Sequence, residues 1–244
     1  MATKTSYDPN RYPAFAVTVD VVVLTVVDGE LQVLLIRRGV EPFKGRWAIP
    51  GGFKRPAETL DEAAERELGQ ETGLAGARLL TQFGAYGDPG RDPRMNVVTV
   101  AYLAVLNEVV GVAGGSDAAE ATLHPVGRVL AGKLPLAFDH ARIVRDAVER
   151  VRTDLDLTGG ATAFVGRTFT LAELRAVYEA VWDAPMDGAN FRRKVLAEDG
   201  WVVPTGRRAP SGMNGGKPAE IFRAGPRWRR GSPVRRTWPT RSTK

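Results

Sequence analysis

Three oxygen-bearing side chains, Glu67, Gln70 and Glu71, stand at i, i+3 and i+4 within GGFKRPAETLDEAAERELGQETGL, residues 51–74. On a helix they face one way. Two or three such oxygens on one turn suit a hard cation, Mg2+ or Mn2+, held beside a diphosphate. The cation would neutralise phosphate charge and activate water. Gly51 and Gly52 precede the helix and let the backbone approach a ligand closely. Glu58 lies eight residues before Arg66 and can brace it across the intervening loop. A lone E-x-x-x-E is usually a solvated helix face. The whole string is far more specific.

The elements that must position these groups are legible along the chain. Thr59-Leu60-Asp61-Glu62 is a capping box that opens the helix, and Gly73 stands where a C′ glycine ends it. Before it, the β-rich runs 17–27 and 31–37 flank Asp28-Gly29, a strong hairpin signal. GRWAIPGGF reads as a short strand running into a Gly-rich turn. RLLTQFGAYG and MNVVTVAYLAVL give further strands around the polar loop GDPGRDPR, and Asp139 is placed to cap a helix in HARIVRDAVERVR. TDLDLTGG reads as a linker.

The chain has 244 residues, 43% of them hydrophobic, which suits two domains with real cores. It has no cysteine and two histidines, His124 and His140, which excludes disulfides and thiolate metal sites and argues against zinc. His140 reads as a capping or packing residue, and Trp47 as core rather than a base-stacking platform. The N-terminus lacks a signal-peptide apolar region. The most apolar run, AFAVTVDVVVLTVV, is broken by Asp20 and reads as a strand, so a cytoplasmic protein without a membrane partner is expected.

Charge divides the chain. Residues 1–157 carry −3, residues 158–225 carry +2, and residues 226–244 carry seven Lys/Arg and no acid. In the middle segment FTLAELRAVYEAVW opens on a second capping box, Thr170 and Glu173. A turn, a short basic helix NFRRKVL and a hairpin follow, the order of a winged helix-turn-helix. Asn190, Arg192, Arg193 and Lys194 lie on the short helix, where arginine can fork onto guanine and asparagine onto adenine. Arg207, Arg208 and Lys217 flank the hairpin tip and can meet phosphates. Phe191, Val195 and Leu196 are the expected apolar anchors. The alternative is an amphipathic helix with a solvated basic face. The last stretch, 226–244, has too little aliphatic content to fold and is expected to be disordered.

The string at 51–74 resembles the Nudix box, G-x5-E-x7-R-E-U-x-E-E-x-G-U. Gly52, Glu58, Arg66, Glu67, Leu68, Glu71, Gly73 and Leu74 match, and Gln70 departs from it. The resemblance implies an α/β class fold, the Nudix α/β/α sandwich, over roughly 14–155, and a ligand built on a nucleoside diphosphate. It makes Glu67 and Glu71 the metal ligands and leaves Gln70 as a neutral replacement for a third. The loop GDPGRDPRMNVV resembles that of ADP-ribose-type Nudix proteins, so Arg91 and Arg94 are candidate ligand-binding forks, with Arg37, Arg38 and Arg46 beside them. The C-terminal segments resemble the winged helix of NrtR-type regulators, repressors of NAD-biosynthesis genes that respond to ADP-ribose.

Together these readings give a Nudix-like ligand-binding domain at 1–157, a smaller winged helix-turn-helix at 158–225 and a basic tail at 226–244. The expected activity is repression by a homodimer on double-stranded operator DNA, with ADP-ribose or a related NAD metabolite as effector. The alternative is an ADP-ribose pyrophosphatase with an appended nucleic-acid-binding domain.

Overall fold

The computed structural model describes residues 8–74, 79–109, 118–210 and 218–236. Its larger part is a mixed seven-stranded sheet. The strands are β1 (Ala16–Val27), β2 (Glu30–Arg38), β3 (Trp47–Ala48), β4 (Gly51–Phe53), β5 (Leu79–Tyr86), β6 (Val97–Val105) and β7 (Ala118–Pro125). The order is β3-β2-β1-β6-β5, with β4 also paired to β1 and β7 to β2. The β1–β2 hairpin turns at Asp28 and Gly29, both at positive φ as a primed turn requires. β1 runs parallel to β6, so the centre of the sheet is covered on both faces.

Side chains alternate along β1 and assign the faces. Val19, Val21 and Val23 pack with Ala63, Ala64 and Leu68 of α1 (Leu60–Thr72). Val22 and Leu24 face the other way, into a core shared with Ile143, Val144, Ala147 and Val148 of α3 (His140–Leu157). A short helix, α2 (Val126–Leu130), precedes α3. The result is the expected α/β/α sandwich. Both halves of the Thr59/Glu62 capping box form, and Gly73 ends α1 at φ 72°.

Two sequence expectations fail near α3. Asp139 occupies the N-cap position but makes no side-chain capping bond, because its carboxylate is held by Arg91. The stretch read as a linker continues α3 to Leu157, since Val151 and Leu155 keep the helical spacing of the buried face.

The smaller part consists of β8 (Phe169–Thr170), α4 (Leu171–Trp182), α5 (Gly188–Ala197), β9 (Val202–Arg208) and β10 (Glu220–Ala224), with the three strands in the order β8-β10-β9. The Thr170/Glu173 capping box opens α4, whose Leu174, Val177 and Val181 are buried. α4 lies against α3 and β2, and its buried face belongs to the same apolar core as the sheet. The indole Nε1 of Trp182 donates to the Arg152 carbonyl, and Arg152 Nε donates to the Val181 carbonyl.

The expectation of a disordered tail is corrected over 226–236. Val234 is fully buried. The Ser232 hydroxyl sits 2.9 Å from Tyr178 Oη, and Trp201 Nε1 donates to the Gly231 carbonyl at 2.7 Å. The Arg236 amide donates to Asp156 Oδ1. Gly159 leaves room for the chain's return, since a Cβ there would collide with the Trp228 carbonyl. Specific polar bonds and a few buried side chains hold this segment, which composition underrated. Residues 237–244 lie outside the described part.

Candidate functional site

The α1 helix carries Glu67 and Glu71 beside β4, whose Gly51 and Gly52 pair with Asp20 and Val19 of β1 rather than forming the expected turn, while Gln70 on the same helix is exposed. Glu67 and Glu71 are both buried polar groups on a helix whose other buried residues are Ala63, Ala64, Leu68 and Thr72. Glu71 Oε2 accepts from the Gly51 amide at 2.9 Å. Glu67 lies so close to Gly52 that any side chain at 52 would run into its carboxylate. The brace anticipated from spacing forms: Arg66 Nε and Nη2 donate to the two oxygens of Glu58 at 2.8 and 2.6 Å, and Nη1 donates to Glu67 at 2.6 Å. The guanidinium, helped by the Arg55 amide, pulls the Glu58 carboxyl down to about 2. Gln70 Oε1 takes a longer bond from Arg66, 3.3 Å.

A hard divalent cation fits this donor set in part. Glu67 and Glu71 offer carboxylate oxygens within one turn. Among the described residues, however, no group of three acidic or imidazole side chains is assembled to hold a metal. A glutamate at 70 would have supplied the third charge.

The cleft beside this helix has a volume of about 120 Å³ and is open to solvent on one side. Thr18 and Asp20 of β1, Arg38 of β2, Gly51 and Gly52, Arg91, Arg94, Phe53 and Phe138 are among the residues lining it. Arg38 and Arg94 both line it. Arg38 Nε donates to the Pro42 carbonyl at 2.7 Å, and its guanidinium lies 4.9 Å from the Phe138 ring centre. Arg94 forks onto Asp92 and stands over both Phe53 and Phe138, at 5.4 and 5.9 Å. The pairing lowers the Asp92 carboxyl and raises Arg94.

Arg91 also lines the cleft, and its guanidinium is paired within the protein. Its side chain is 5% exposed, bonds both oxygens of Asp139, and lies 3.5 Å from Asp20. It lines the floor of the cleft with its guanidinium held by these two carboxylates. Arg37 and Arg46 are not among the cleft's lining residues: Arg37 donates to the Gly45 carbonyl and lies near Glu120, and Arg46 stands over Phe43. His140 is buried, and its Nδ1 accepts from the Ile49 amide, so the remaining ring proton is on Nε2, 3.8 Å from Asp20. Burial lowers its pKa and keeps it neutral. Trp47 is half-buried, packed edge-on against His124.

Sequence reasoning missed Phe53 and Phe138. Phe138 has φ 50°, a conformation costly for an aromatic residue, and no local pattern announces it. Phe53 is 42% exposed, directly after the two glycines.

On the smaller domain, Asp187 caps α5 by accepting from the Asn190 amide. Phe191 and Val195 are buried, with Phe191 against Tyr178 of α4. Leu196, expected as a third anchor, is 44% exposed because it falls off the buried face. Asn190, Arg192 and Arg193 are exposed and Lys194 is half-buried. Asn190 accepts from Arg193 at 2.7 Å, and Arg192 stands 3.6 Å from Glu220 on β10. Arg207 and Arg208 are exposed at the end of β9, and Lys217 lies outside the described residues. The two helices, the exposed basic face and the adjoining hairpin form a winged helix.

Residues 15–147 match the NUDIX domain family and residues 161–224 match the NrtR DNA-binding winged helix domain. A curated relative, the ADPR responsive transcriptional repressor NtrR of Acinetobacter baylyi, is 32% identical over 219 residues, which are 89% of this chain and 85% of the relative. The chain belongs to the NrtR family of Nudix regulators. A crystal structure of Shewanella oneidensis NrtR complexed with a 27mer DNA superposes with a TM-score of 0.72 at 32% identity, covering 86% of this chain and 94% of that one. The NUDIX domain of the same S. oneidensis protein, in a cocrystal with ADP ribose, superposes at 0.54 with 34% identity over 59% of this chain and 94% of that one. Within the NrtR framework the departure at Gln70 and the exposed α5 face belong to one molecule.

Proposed function

We propose that this protein is a cytoplasmic, homodimeric repressor of NAD-biosynthesis genes that leaves operator DNA when its Nudix domain binds ADP-ribose or a related NAD metabolite. The observation that carries the proposal is the single core joining a cleft with a weakened metal helix to a winged helix with an exposed basic face. In this reading Arg38 and Arg94 hold the diphosphate, Phe53 and Phe138 supply apolar contact, and the backbone at Gly51 and Gly52 meets phosphate oxygens. The cleft's volume takes only part of such a ligand, so the remainder spreads over the open rim. Glu67 and Glu71 would hold a divalent cation, which supplies charge neutralisation.

Asn190, Arg192, Arg193 and Lys194 enter the major groove, while Arg207, Arg208 and Lys217 meet phosphates. One short helix reads too few bases, and pairing doubles the contacts. A coupling of roughly 1–3 kcal/mol between the sites would change DNA affinity ~5–150-fold. The test is fluorescence anisotropy with promoter DNA from an NAD-biosynthesis operon, with and without ADP-ribose. Arg192→Ala and Arg193→Ala should each weaken specific binding by about 1–3 kcal/mol per half-site. Unchanged affinity in both folded variants removes the recognition-helix assignment.

A second reading, an ADP-ribose pyrophosphatase, is favoured by one observation: the Glu58–Arg66–Glu67 brace of the Nudix helix is intact.

A further inference from the structure

A second cavity, of about 550 Å³, is larger than the cleft and lies away from it. Its walls come from three sources. Phe83 and Leu103 present the open end of the sheet, and Leu155 presents the distal half of α3. Phe164 comes from the connection between the domains, and Trp228 from the segment after β10. The volume falls within the ~300–1,000 Å³ range of small-molecule sites, which favour domain junctions.

The polar groups are few and unequal. Arg150 is matched by Asp154, whose two oxygens each accept from its Nε at 3.0 Å. Arg167 and Arg229 also line the cavity and are exposed; among the described residues neither pairs with a carboxylate. Arg229 is held over the Trp228 ring at 4.9 Å. Among the described residues, the lining therefore combines an apolar body with two guanidiniums that pair with no carboxylate.

Its provenance matters as well. The family matches cover 15–147 and 161–224, whereas Arg150, Asp154, Leu155, Trp228 and Arg229 lie outside both. The cavity is a product of the junction and of the returning C-terminal segment.

We propose that this junction cavity is a second ligand site, for a small amphipathic anion: an apolar, aromatic-sized body carrying one carboxylate or sulfonate. The body fills the space between Phe83, Leu155 and Phe164, and the anionic group meets Arg167 and Arg229. Because Trp228 and Arg229 form one wall, a bound ligand also holds the C-terminal segment in place.

The test titrates the full chain with 8-anilinonaphthalene-1-sulfonate, followed by fluorescence, beside the neutral 1-anilinonaphthalene. One saturable site per chain is expected for the sulfonate, with weaker binding of the neutral compound. Ala163→Trp, at a half-buried lining position, should remove the site by filling it. The double variant Arg167→Glu/Arg229→Glu changes only exposed side chains and should weaken the sulfonate roughly tenfold. Circular dichroism establishes that each variant is folded. Absence of saturable binding, wild-type affinity in the double variant, or equal affinity for the neutral compound would overturn the proposal.

Discussion

Replacing Val234 by alanine measures whether the segment after β10 belongs to the fold. Val234 is fully buried, ten residues beyond the last strand, with Ser232 bonded to Tyr178 just before it. Val→Ala removes two carbons. Their transfer alone accounts for about 1.6 kcal/mol at ~0.8 per methylene. A void that relaxes only partly raises the loss to roughly 2–3 kcal/mol. For a chain of this size that lowers the Tm by about 4–12 °C. Urea unfolding followed by tryptophan emission is the assay, since Trp201 donates to Gly231 and would sense release of the segment. Arg227→Ala, at an exposed position in the same segment, is the control. A loss under about 0.5 kcal/mol, the scale of surface substitutions, would refute the docking described above.

Gln70→Glu should raise Mg2+- or Mn2+-dependent release of AMP from ADP-ribose, because a third carboxylate joins Glu67 and Glu71; wild-type turnover at ~1 s⁻¹ or faster would instead promote the hydrolase reading. Arg91→Ala should destabilise the protein by about 3–5 kcal/mol, since Asp139 and Asp20 lose their buried cation, and an effect on ADP-ribose binding alone, with the melting curve unchanged, would make Arg91 a ligand contact instead of a structural one. Glu58 titrates from 4.5 in the unfolded chain to about 2 in the fold. Its folded pKa is depressed, so its contribution is fully present above 4.5 and vanishes as pH falls through about 2. The stability difference between wild type and Glu58→Gln should therefore shrink across that window, as measured by urea melts at several pH values.

What was legible in the sequence was local. Capping boxes at Thr59 and Thr170, the Asp28-Gly29 turn and the Glu58–Arg66 brace are short-range patterns, and each forms as read. What escaped was decided at long range. Arg91 and Arg94 look alike in GRDPR and both line the cleft, yet one is buried against Asp139, 48 residues on, and the other pairs locally with Asp92 and stays partly exposed. Phe138 reaches the cleft through a backbone conformation that its own sequence disfavours. The docking of Val234 depends on Tyr178 and Trp201, which composition alone does not connect to it.

α3 runs unbroken from the cleft to the C-terminal segment. Its first residue, His140, reaches the cleft beside Asp20, and its last turn carries Asp156, which receives the Arg236 amide. Eighteen residues of unbroken helix span about 27 Å at ~1.5 Å per residue. A rod of that length turns a tilt of ~5° at the cleft into a displacement of roughly 2 Å at the far end. Packed interfaces answer shifts of that size by changing arrangement rather than by stretching. The run read as a linker is thus the end of one continuous rod, fixed beside the cleft by the Arg91–Asp139 pair and at the other end by the Asp156–Arg236 bond.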